Sequence, residues 1–146
     1  NKILYFADVF SYRETGKPIT GAPYIKLQHG PVAKPVKSLL DEMKEERDIV
    51  IAAQPIFDYE QQRVVACRVA NLDRFTGSDI ALVDRIIKQH WGKTAIEISE
   101  ESHGIAWKTA EMFEPIPYEA ALLSDMPLTE EEIIDMANLL QTRNGR

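Results

Sequence analysis

A single cysteine, Cys67, in 146 residues excludes an internal disulfide and fits a reducing, cytoplasmic setting. It lies in an apolar, β-branched stretch and reads as a small buried hydrophobe, not a reactive thiol. No apolar run approaches the roughly 20 residues of a transmembrane helix, so no membrane association is expected. Histidine is scarce. His29, His90 and His103 are widely spaced, whereas zinc sites are marked by close pairs such as C-x-x-C or H-x-x-x-H. There is no G-x-S-x-G elbow and no glycine-rich loop of dinucleotide or Walker type. Dense basic clusters are missing too. With 17 Lys and Arg against 23 Asp and Glu, the net charge of −6 opposes a broad nucleic-acid footprint and leaves basic protein partners open. These absences point away from metal, cofactor-dependent and covalent enzyme chemistry.

The length suits one domain, residues 1–146, able to bury a core without disulfides or metals. Residues 1–13 place Ile3, Phe6, Ala7 and Phe10 along one helical stripe, ended by Gly16 and Pro18. Helical periodicity is already running at Ile3, so the chain reads as lacking its native N-terminal residues. Tyr24 to Leu27 reads as a short strand. A helix over roughly 33–47 follows Pro31, with Val36, Leu39, Leu40 and Met43 inward and the solvated run Lys44-Glu45-Glu46-Arg47 at its end. Ile49–Phe57 and Arg63–Ala70 flank a five-residue polar loop and predict a β-hairpin, with Pro55 requiring an edge or a bulge. Thr76 or Ser78 caps a third helix with Ile80, Val83 and Ile87 on one face. Thr94-x-x-Glu97 and Thr129-x-x-Glu132 have capping-box spacing. The first opens a short helix ending near Glu101. The second opens a last helix with Ile133, Met136, Ala137 and Leu140 on one face. The expected fold is α+β, a helix-dominated single domain with a short strand and one β-hairpin. Its order of elements resembles that of a winged helix, which makes DNA binding the alternative function.

Glu100-Glu101 and Glu130-Glu131-Glu132 sit at helix starts or on polar faces, where a structural role outweighs acid/base work. His29-Gly30-Pro31 reads as a strand-to-helix corner, glycine supplying backbone freedom and proline fixing φ. His103 and Trp107 stand four residues apart and meet if this turn is helical. For Trp107 the reading is core-edge packing. For His103, packing and an anchor for a partner both stay open.

Three stretches, "NKILYFADVFSYRETGKPITG", "YIKLQHGPVAKPV" and "SHGIAW", resemble in their order the Panacea domain of the SocA-like antitoxin family. The matching positions are Lys2, Leu4, Tyr5, Phe6, Ala7, Gly16, Pro18, Ile19, Gly30, Pro31, Val32, His103 and Trp107. The resemblance is most specific over residues 1–40. It implies a bacterial or prophage antitoxin that neutralises a cognate toxin by protein contact, in some relatives while delivering it to a protease. No enzymatic activity and no cofactor are implied, and DNA binding through this domain is not expected. Tyr24, His29, Tyr59 and His103 are the candidate partner-binding residues, and Tyr5, Phe6, Gly16, Pro18, Gly30, Pro31, Val32 and Trp107 the shared scaffold.

Overall fold

The computed structural model describes residues 1–56 and 59–123, with the side chains of residues 56 and 59 outside that description. Its first helix, α1 (Lys2–Thr15), ends as its sequence requires. Gly16 adopts φ 73°, and its N–H donates to the Tyr12 carbonyl at 2.8 Å. The expected single apolar stripe understates this helix, because Tyr5, Phe6, Ala7, Asp8 and Val9 are all buried. α1 packs against α3 (Gly77–His90), against β2 (Gly30–Ala33) and against the terminal 3₁₀ turn (Tyr118–Leu122), so more than one of its sides is covered.

β1 (Tyr24–Leu27) forms where expected, but it is the centre of a three-stranded antiparallel sheet, in the order β2-β1-β5. β5 is Pro115–Ile116. The residues after His29 therefore correct the strand-to-helix reading. Gly30–Ala33 return as β2, Leu27 pairs with Gly30, and Gln28-His29 is the turn of a tight hairpin. Pro31 is tolerated because β2 is an edge strand. The helix expected from residue 33 starts only at Val36 and runs to Glu45 as α2.

The second hairpin is a two-stranded ribbon, β3 (Ile49–Ile56) with β4 (Tyr59–Ala66), in register from Ile49↔Ala66 to Ile56↔Tyr59. The polar run expected as its loop is mostly strand, since Tyr59, Glu60, Gln61 and Gln62 all pair with β3. Pro55 fits because both strands are edges. Cys67, expected to be buried, is exposed just beyond β4.

Thr76 rather than Ser78 caps α3, in a reciprocal capping box with Asp79. Its core face is Leu82, Ile86 and His90, whereas Ile80 and Ile87 are each 40% exposed. Two apolar stripes lie side by side on this helix, and the stacking of His90 on Phe6, with ring centroids 4.6 Å apart, goes with the inward one. Thr94 and Glu97 form the second capping box, opening α4 (Ala95–Glu101). α5 (Ile105–Thr109) follows, so His103 lies just before a helix and not inside one. The core joins Tyr5, Phe6 and Val9 of α1 to Tyr24, Ala33, Leu82, Ile86, Ala106, Ile116 and Ala121. The last helix expected from Thr129 lies outside the described residues. The fold is α+β, with five α-helices and two small antiparallel sheets among the described residues.

Candidate functional site

The His29-Gly30-Pro31 corner is built by close packing. Gln28 and His29 keep negative φ, so Gly30, at φ 99°, supplies the left-handed backbone the tight turn demands. A Cβ at this position would stand 2.2 Å from Ser102 Oγ and 2.5 Å from Lys2 Nζ. Only glycine fits for both reasons. Lys2 Nζ donates to the Pro31 carbonyl at 3.1 Å, and burial pushes its ammonium down to about 8. Ser99 Oγ donates to the His29 carbonyl at 2.7 Å, and Ser102 Oγ to the Ser99 carbonyl at 2.6 Å. Trp107 Nε1 donates to the Leu27 carbonyl at 2.9 Å, fixing the other side of the turn.

The Trp107 ring carries two further contacts. His103 stacks on it at 3.8 Å with the planes 18° apart, and Lys26 Nζ lies 4.4 Å from its centroid. Lys26 also donates to the Ala110 carbonyl at 2.8 Å. His103 Nε2 is buried without a hydrogen-bond partner among the described residues. Burial, with Lys2 beside it, holds this imidazole below its ordinary range. The His29 side chain is exposed and lines an open groove of about 780 Å³ with Leu27, Val32 and Phe113. The structure thus gathers Lys2, Gly30, Pro31, His103 and Trp107 into one joint, and leaves His29 at its rim.

Tyr24 belongs to a different constellation and corrects its reading as a contact residue. It is 2% exposed, and its hydroxyl donates to Asp8 Oδ2 at 2.8 Å. Asp8 is fully buried. It also accepts from the Thr20 N–H at 2.7 Å, from Thr20 Oγ1 at 2.5 Å and from the Tyr118 hydroxyl at 3.2 Å. Four donors ring one carboxylate, satisfying a charge that is otherwise costly to bury. Burial, then the bond to Asp8, raises the Tyr24 phenol above its ordinary value; burial and the Asp8 charge raise Tyr118. The sequence reading missed Asp8. Its only signal was an acidic residue set between the apolar pairs Phe6-Ala7 and Val9-Phe10.

The profile described as "Antitoxin SocA-like, Panacea domain" matches residues 1–108. The chain belongs to this family. Neither the curated proteins nor the solved structures gave a match. The span shared with the Panacea domain closes on Trp107 and its joint. The residues that follow still enter the same core, β5 by pairing with β1 and the 3₁₀ turn through Tyr118 and Ala121.

The ribbon is the other feature this Panacea domain displays. Among the described residues, its base is the part that is held. Ile49 is 4% exposed, the Asp48 carboxylate pairs with Arg68, and the Cys67 N–H donates to the Asp48 carbonyl at 2.7 Å. Farther out, Val50 on one face and Val64 on the other are 49% and 50% exposed. Beside it, Leu39 and Met43 of α2 are exposed, which corrects their expected inward placement. No group of three His, Cys, Asp or Glu able to hold a metal occurs among the described residues, and no described helix is long and apolar enough to cross a membrane.

Proposed function

We propose that this Panacea domain is an antitoxin that neutralises a cognate toxin by direct contact in the cytoplasm, and that the ribbon with α2 supplies the contact surface. Family membership supports the antitoxin role. The observation that carries the surface is the ribbon itself. Two-stranded ribbons are marginal in water, and among the described residues this one exposes apolar side chains on both faces and has no strand paired to either edge. A partner that covers a face or adds a strand removes both liabilities. Each strand is eight residues, about 26 Å at the usual rise, enough for a specific footprint. His29 and His103 belong to a separate corner and are proposed as secondary contacts, as is Tyr59, whose side chain lies outside the description. Delivery of the bound toxin to a protease is compatible with the same surface.

The test is co-expression with the product of the neighbouring gene. A stable complex and restored growth are expected. Absence of both sinks the proposal. In cells that are rescued, a shortened toxin half-life would mark protease delivery, and an unchanged one would mark plain sequestration.

The DNA-binding alternative finds little support. α2 carries Lys37 and Lys44 against Asp41, Glu42 and Glu45, a mixed to acidic face that phosphates disfavour. β1 also pairs with β2 and β5, leaving the ribbon outside the sheet of the first strand.

A further inference from the structure

The two outer edges of the ribbon are not equivalent, and its register shows why. The pairs from Ile49↔Ala66 to Ile56↔Tyr59 run without a bulge, and just below them the Cys67 N–H donates to the Asp48 carbonyl at 2.7 Å. Hydrogen-bonded and non-hydrogen-bonded pairs alternate along an antiparallel ladder. Starting from Asp48 and Cys67, the backbone groups of Val50, Ala52 and Gln54 turn toward β4, and those of Val65, Arg63 and Gln61 toward β3. The backbone groups of Ile51, Ala53 and Pro55 therefore line the outer edge of β3. Those of Glu60, Gln62, Val64 and Ala66 line the outer edge of β4.

Pro55 interrupts the donors of the β3 edge, and α2 packs against that strand. The β4 edge has no proline. Each of its four outward positions carries an N–H as well as a carbonyl, and residues 60–66 are all exposed. Its side chains select the strand that fits. A second copy pairing antiparallel through all four positions would match Glu60 with Ala66 and Gln62 with Val64. The two Arg63 side chains would then stand directly opposite each other on one face, where like charges repel. Arg63 has no ion pair among the described residues, so a carboxylate on the added strand would complement it. Val64 and Val65, 50% and 40% exposed, favour apolar neighbours beside them.

We infer that the outer edge of β4 is the docking line, and that its occupant is an extended segment of the toxin. The segment adds as a third strand, with a carboxylate facing Arg63 and apolar side chains along Val64 and Val65. This docking mode rests on the antitoxin reading, and adds to it the edge used and the form of the bound segment.

The test places proline at one height on either edge. Gln62 and Ala53 are paired across the ribbon and both turn their N–H outward, so proline at either keeps the β3–β4 bonds and blocks one edge. Gln62→Pro should weaken the complex with the neighbouring gene's product at least about tenfold, with Ala53→Pro and Gln62→Ala within about twofold of the unaltered protein. Arg63→Glu should weaken it as well, and unchanged affinity would overturn the facing carboxylate. Equal losses from the two prolines, or no loss from Gln62→Pro, would overturn docking on β4. A complex with the unaltered protein would leave the antitoxin reading standing in that case, whereas no complex at all would remove both. Amide exchange provides a reading without substitutions. The Gln62 and Val64 amides should exchange at least about tenfold more slowly in the complex than in the protein alone, with Ile51 and Ala53 unchanged. Protection of Gln62 and Val64 without toxin, rising with protein concentration, would put a second copy on this edge and overturn the toxin strand.

Discussion

Gly30 and Asp8 show how much rests on single residues. Gly30→Ala forces a Cβ into the space of Ser102 Oγ and Lys2 Nζ while demanding a strained φ. The expected cost is about 2–3 kcal/mol by urea denaturation. A loss under 0.5 kcal/mol, the scale of an ordinary surface change, would show that the corner relaxes freely. Asp8→Ala strands Thr20 and Tyr24 around an empty acceptor, while the Tyr118 hydroxyl keeps the Ala22 carbonyl at 2.7 Å, for a loss of about 3 kcal/mol. Gly30 was legible from sequence, because Gly-Pro after an extended run marks a turn. Asp8 was not, because the donors that justify a buried carboxylate come from residues 12 to 110 positions away.

At the scale of elements, the ribbon and the core respond differently to the same chemistry. Val50→Asp with Val64→Asp places charge where side chains are already half-exposed, so the melting temperature should move little. Toxin binding and growth rescue should fall sharply if the ribbon is the contact. Retained rescue would place the contact elsewhere. The ribbon's alternating sequence was readable as a hairpin. The same apolar signal misled for α2, where Leu39 and Met43 are expected inward and are exposed, and the shared apolar face of α3 likewise leaves Ile80 and Ile87 exposed. Periodicity shows that a helix has an apolar face. It does not show whether that face meets the core or a partner.

For the whole molecule, ionisation sets two limits on stability. Tyr24 and Tyr118 have raised values in the folded state, so their contribution is complete below about pH 10, the unfolded phenol value, and is lost as pH rises beyond it. Thermal unfolding should therefore steepen with pH above about 10, and Tyr118→Phe should soften that slope. His103 has the opposite sign. Its lowered value means the folded state binds fewer protons, so stability falls as pH drops through about 6.5, the unfolded histidine value. Lys2, Lys26 and His29 disfavour the imidazolium and Glu100 favours it. His103→Phe keeps an aromatic ring against Trp107, and should flatten the profile between about pH 7 and 5; an unchanged slope would remove His103 as its source.

By itself the sequence determined the α+β class, the first helix and its stop, a cap at Thr76 or Ser78, the capping box at Thr94, the ribbon and the family. All of these are written in local spacing, where neighbouring residues supply the partners. Tertiary structure alone decided that β5 returns to β1, that Tyr24 serves Asp8, and which of two stripes on α3 faces Phe6. Each depends on groups far apart in the chain, and no local period encodes which distant surface a side chain will meet.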